Sequence, residues 1–228
     1  MIKLLSSTRL KCRDALPLAA LALALALPAQ AARVLAVTGE VTVQRGDVRM
    51  PLAVGTQLEQ GDELLSNDDS EALLRFDDGA RMALRPDSAI QLKELRLKGP
   101  VSKRQKTIAI VKGGLRYISG KATRRQRVSF ASNTATIGIR GTDIEISVTP
   151  ESVNDAPTGT YLKVNTGAAT LLAVDGTQVS VDPGQVAFGG EPELVPRGFT
   201  GKRRPAGRKL ETTVGSVFKS GALDKLMR

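Results

Sequence analysis

The chain has 228 residues, with 33 Lys or Arg against 23 Asp or Glu, a net charge of +10, one cysteine and no histidine. That composition removes the commonest general base, the usual thiol nucleophile and most transition-metal sites, and so speaks against an enzyme. The positive balance is uneven: residues 32–196 hold 20 basic and 20 acidic side chains, whereas residues 197–228 hold nine and two. The high pI therefore belongs to a tail and not to a folded basic face of the kind that binds nucleic acid, and aromatics for stacking on bases are scarce.

Lys3, Arg9, Lys11 and Arg13 precede the apolar run Ala15–Leu27, and Ala29-Gln30-Ala31 follows as a small-x-small sequence. This is the layout of a secretory signal peptide over residues 1–31, cut after Ala31. The run is too short for the roughly 20 residues that cross a bilayer. Cys12 leaves with that segment, so the exported chain rests on an ordinary apolar core, and its expected location is the bacterial periplasm.

From residue 32 to about 190 the chain reads as one all-β domain of short alternating runs punctuated by Gly, Asp and Pro, either a two-sheet sandwich or a short solenoid of successive hairpins. Leu35, Val37, Val41 and Val43 keep one parity around Gly39-Glu40. At Asp77-Asp78-Gly79 a three-residue loop pairs Phe76 with Ala80 and Leu74 with Met82, which keeps one face apolar. The residues from Glu94 to Lys106, where a helix could compete but for Gly99-Pro100, read as a basic loop between two strands. In Ile137–Val148 the apolar parity switches from odd to even, which predicts a bulge or kink at Gly141 that exposes Arg140, Thr142 and Asp143. Arg140 is expected to pair with Asp143 or to contact a partner. Further on, a two-residue Asp175-Gly176 turn is expected to pair Leu172 with Val179.

Residues 191–228 read as a basic, largely disordered tail. Lys202, Arg203, Arg204, Arg208 and Lys209 suit an electrostatic contact with anionic lipid or envelope polymer, and Val217 and Phe218 could anchor a docking peptide. The acidic clusters Asp68-Asp69-Ser70-Glu71 and Asp77-Asp78 lack calcium-loop spacing and read as turn residues. No metal or cofactor is expected.

The order of motifs resembles the FecR-type periplasmic domain across about residues 34–190. It is carried by Gly39-Glu40-Val41-Thr42-Val43, Val54-Gly55, Gly61-Asp62, Asp78-Gly79, Arg85-Pro86-Asp87-Ser88, Lys112-Gly113-Gly114, Gly184-Gln185 and, most specifically, Ala135–Asp143 with its Gly-Ile-Arg-Gly-Thr core. Ser132-Asn133 departs from the family, which commonly has Thr-Pro there. The resemblance implies a β domain that senses or scaffolds through a periplasmic or membrane protein partner, tentatively at Arg140, Thr142 and Asp143. Some family members span the membrane and relay receptor status to an anti-sigma segment. A signal peptide here implies a stand-alone exported module, a structural envelope protein tethered by its tail being the alternative.

Overall fold

The computed structural model describes residues 31–121, 126–152, 156–191, 201, 204–210 and 217–227; the signal-peptide reading, Lys202 and Arg203 lie outside them. The first strands are β1 (Ala32–Thr38), β2 (Val41–Arg45), β3 (Val48–Pro51), β4 (Gln57–Leu58), β5 (Glu63–Ser66), β6 (Glu71–Phe76), β7 (Arg81–Leu84) and β8 (Ala89–Arg96). They are followed by β9 (Gln105–Ile118), β10 (Arg127–Ala131), β11 (Ala135–Thr149), β12 (Gly159–Ala173), β13 (Gln178–Val181), β14 (Val186–Gly190) and β15 (Gly207–Leu210). Short 3-10 helices span Val101–Lys103 and Ala222–Leu226. All the strands belong to one hydrogen-bonded sheet, so the all-β class stands.

The sheet doubles over. Residues 105–112 of β9 pair with β8, whereas residues 115–118 pair with β7. Likewise β11 pairs with β10 before Gly141 and with β9 after it. Lys106 and Tyr117 lie on one strand, where 11 residues of straight β structure would separate them by about 36 Å. Yet Lys106 Nζ donates to Tyr117 Oη at 3.0 Å. The strand must therefore fold back between them, and the place is Gly113-Gly114. Gly113 has φ +77°, and a Cβ there would drive into Asp87 and Ser88. The Ser88 hydroxyl straps this corner, accepting from Gly114 N at 2.8 Å. Gly141, with φ +63°, makes the corner in β11, where the register shifts as the parity change predicts. The result is two layers facing each other, as in a sandwich, joined by strands that run through both.

The inner faces enclose one apolar core that includes Val34, Leu64, Leu74, Met82, Ile90, Ile108, Ile144 and Leu162. Phe76, Tyr117 and Phe130 meet inside it, the last two rings edge-on with centroids 5.1 Å apart. The loop after β6 is the expected three-residue one: Leu74 faces Met82, and Phe76 N donates to Ala80 O.

Two expectations are corrected. The hairpin between β12 and β13 has a three-residue loop, Val174-Asp175-Gly176, with Ala173 N donating to Thr177 O. Val179 thus faces Leu171, not Leu172. This register puts Leu171, Ala173, Val179 and Val181 in the core and leaves Leu172 and Val174 outside, a better burial than the tighter turn allows. The basic loop is also shorter than expected, because β8 runs on to Arg96 and β9 starts at Gln105.

Lys106, counted in that loop from sequence, is wholly buried. Its ammonium sits 2.8 Å from Asp78 Oδ2 and 3.8 Å from the centre of the Phe76 ring. Burial pushes this lysine down to about 8, against the opposing pull of Asp78. Asp78 also accepts from Ala80 N through Oδ1, so the turn and the buried cation are one unit.

Asp78→Ala should cost about 3–5 kcal/mol in urea unfolding, because it strands a buried ammonium, whereas Asp78→Asn with Lys106→Met should be nearly neutral. The folded lysine value of about 8 lies below the free value of about 10.4, so the unfolded chain holds the extra proton between them. Stability should therefore rise with pH from about 8 to 9.5 relative to the Lys106→Met chain. Gly113→Ala should lose on the order of 3 kcal/mol, while Gly46→Ala, also at positive φ but in open space, should lose about 1 kcal/mol.

Candidate functional site

A half-exposed sheet leaves every second residue in water, but the second layer does not. Leu73, Ala83, Tyr161 and Phe188 point away from the main core and are nevertheless almost fully buried. Their cover is the chain's own C-terminal part. β15 pairs with β14 along the edge. Residues 217–227 then cross the outer face, with Val217 and Phe218 against Ala156, Tyr161 and Phe188 at one end. At the other end Leu223 and Met227 enter a cluster with Leu73 and Ala83, flanked by Ala36 and Ile118.

Beneath that segment the sheet presents charges in alternation. Arg116 on β9 lies opposite Glu145 on β11, and Glu145 lies opposite Lys163 on β12. Arg116 grips Asp143 with Nε at 3.0 Å and Nη2 at 2.8 Å. Asn165 donates to both Asp143 and Glu145, and Lys163 donates to Glu145 at 3.1 Å. The hydrogen bond to Asp143 raises Arg116 above its ordinary value, with the charge of Asp143 adding to it and outweighing the opposing effect of burial.

The C-terminal segment plugs into this array. Both carboxylate oxygens of Glu71 accept backbone N–H groups, from Ala222 and Leu223, each at 3.0 Å. Arg85 Nη2 donates to the two Asp224 oxygens at 2.9 Å, and Arg116 Nη1 stands 3.4 Å from the same carboxylate. Arg81 Nη1 donates to Leu226 O at 2.8 Å. Burial raises the Asp224 carboxyl, but the Gly221 N–H and the two guanidinia outweigh it and hold the group below the usual carboxylate range. Between segment and sheet remains a cleft of about 150 Å³, lined in part by Arg85, Gly114, Glu145, Ser147 and Phe218.

The residues singled out from sequence are not brought together as one site. Arg140 is exposed beside the corner. Thr142 turns inward, only 2% exposed, with its N–H donating to Ser119 Oγ. Asp143 joins the charged array, but its cation is Arg116 and not Arg140. The kink separates residues 140 and 143, while residue 116 is a same-face neighbour on the next strand. In the tail, Arg204 is exposed, Arg208 lies over the Phe188 ring at 4.4 Å and Lys209 donates to Gln185. From sequence Glu71 reads as a turn residue, whereas it opens β6 and is buried; Arg85 figures only in a family motif, and Arg116 is not singled out. The available signal was Leu73 between Ala72 and Leu74, an apolar run with no polar side.

The motif residues themselves are mostly scaffold. Asp62, with no exposed side-chain surface, takes Arg45 through both oxygens at 2.7 and 2.8 Å. Ser70 Oγ accepts Glu40 N, and Asp87 pairs with Lys112. Ser132 Oγ accepts from Thr134 N and Ala135 N, so its side chain closes the turn into β11. Among the described residues no group of three or more His, Cys, Asp or Glu is placed to hold a metal ion, and no helix is long and apolar enough to cross a membrane.

Residues 62–170, which include Glu71, Arg85, Arg116 and Asp143, match the family described as FecR protein. That stretch is similar to the FecR family. No curated protein matches the sequence. Two crystal structures of a candidate anti-sigma factor from Parabacteroides distasonis are similar, at 10% and 11% identity and TM-scores of 0.46 and 0.44. Each likeness covers 56% of this chain and 54% of the other, so this chain spans about half the length of those it matches.

Asp224 has a lowered value in the folded chain, so its contribution to docking is complete above the free value of about 3.9 and fades as pH falls through the lower folded value. Hydrogen-exchange protection of the Ala222 and Leu223 amides should therefore drop as the pH is lowered from 5 towards 2. In the Asp224→Asn chain that protection should be weaker at pH 6 and change less on acidification.

Proposed function

We propose that this protein is an exported, non-catalytic FecR module that senses or scaffolds in the bacterial envelope by binding a protein partner. The observation that carries the reading is the FecR match over residues 62–170, the stretch that supplies the charged outer face. A rigid, doubled sheet is suited to present that face without chemistry of its own. The Arg140 corner is a second contact, since its guanidinium is exposed on a strand held by the fold on both sides. The signal peptide over residues 1–31 delivers the chain to the periplasm.

The tail-tether alternative is weakened by the tail's own contacts, because Arg208 lies over the Phe188 ring and Lys209 donates to Gln185.

Expression of the full chain in a bacterium should yield a periplasmic protein whose first residue is Ala32. Crosslinking and pull-down from envelope extracts should recover one membrane or periplasmic protein, and the Arg140→Glu chain should recover several-fold less of it. A cytoplasmic protein starting at Met1 would refute the export reading. Pelleting with membranes or peptidoglycan that salt abolishes, with no protein captured, would favour the tether instead.

A further inference from the structure

The C-terminal segment lies on the FecR domain as a ligand lies on a receptor. The receptor side is Glu71, Leu73, Arg81, Ala83, Arg85 and Arg116, all within residues 62–170. The occupant, residues 221–227, lies outside that stretch and reaches it after about 140 residues of intervening chain, as the Arg85–Asp224 pair shows. Its contacts are those of a short docked peptide: one carboxylate on a pair of guanidinia, two backbone N–H groups on a carboxylate and two apolar anchors. Leu223 and Met227 bury in a satellite cluster apart from the main core, so the inner faces are sealed without them.

The site is also under-filled. Arg85 is 96% buried by the complement of its 4% exposure, and its Nη1 has no hydrogen-bond partner. That nitrogen faces Gly221, where any Cβ would collide with it. A buried guanidinium donor left unpaired is costly, and a ligand with one more acceptor at that point would satisfy it. The segment fits well enough to occupy the face and leaves room for a better occupant.

We propose that this face is a peptide-docking site, that residues Gly221–Met227 are its resident ligand in cis, and that an acidic segment of a protein partner, with two apolar anchors and a further acceptor for Arg85, displaces it. The proposal rests on the partner-binding reading above and names the surface that serves it. Residues 217–227 then act as a gate: the partner engages only by outcompeting them. Falling pH loosens the resident segment through Asp224, and the same acidification weakens a carboxylate-bearing competitor.

The test uses the whole mature chain with a protease site introduced between Leu210 and Val217, so that the segment keeps its native sequence but loses its tether. After cleavage, a fluorescent peptide of residues 217–228 should replace the endogenous fragment within minutes to hours, while the β-sheet circular dichroism stays unchanged. An Asp224→Asn peptide should compete at least about tenfold less well, the loss expected when a charge-assisted pair is removed. A second chain, uncut and carrying Asp224→Lys with Leu223→Ser, should bind the wild-type peptide at least about tenfold more tightly than the uncut parent, whose face is occupied. Unfolding on cleavage, or exchange no faster than global unfolding, would make the segment a fixed part of the fold and overturn the proposal. Equal binding of the two peptides would overturn it as well. Capture of the same envelope protein in the pull-down despite a failed exchange would leave the partner reading intact and sink only this site.

Discussion

The fold depends on two strands that belong to both layers, β9 and β11. A straight β9 would hold Lys106 and Tyr117 about 36 Å apart, and they touch. The backbone turns these corners at residues that tolerate positive φ, Gly113 and Gly141, and at Gly113 the Asp87-Ser88 turn closes in around the bend. Once the corners are set, the inner faces are forced together and the core follows. Several motif residues serve this geometry: Ser88 straps the β9 corner, Asp87 pairs with Lys112 beside it and Asp78 holds the turn that reaches Lys106.

The buried Lys106–Asp78 pair sits where the two layers meet, among Phe76 and Tyr117. A fully buried charge adds little net stability compared with a well-packed apolar pair, because desolvation offsets the attraction. Its effect is on selectivity of packing: a core with one cation has one acceptable arrangement in which that cation meets both a carboxylate and a ring face. The pair thereby links the first part of β9 to the turn between β6 and β7.

The outer face of the second layer follows different rules. It carries charges in cross-strand alternation, yet it is covered, and the cover comes from outside residues 62–170. Groups such as Glu71 and Arg85 are thus neither solvated surface nor core. Their partners are backbone N–H groups and a carboxylate delivered by a short segment, which is the chemistry of recognition. The family stretch builds the receptor, and the C-terminal part supplies what lies on it.

Local pattern was enough for the elements whose logic is local. Leu74, Phe76, Ala80 and Met82 dictate the loop between β6 and β7 through period-2 alternation, and the parity change between Ile139 and Ile144 locates the bulge at Gly141. The motif order pointed to the FecR domain for the same reason, since its glycines and turn residues recur at the bends. Local pattern failed where two registers bury similar numbers of apolar residues, as at Val174–Thr177, and where a charged residue is buried by distant partners, as for Lys106. It could not reveal that Glu71 and Arg85 wait for Ala222, Leu223 and Asp224, because no rule of spacing connects residues some 140 to 150 positions apart. Sequence by itself determined the all-β class and the absence of histidine chemistry, because these follow from composition and near-neighbour alternation. The covered face, its ion pairs and its occupant were decided only by the tertiary structure, because they arise from long-range closure of the chain upon itself.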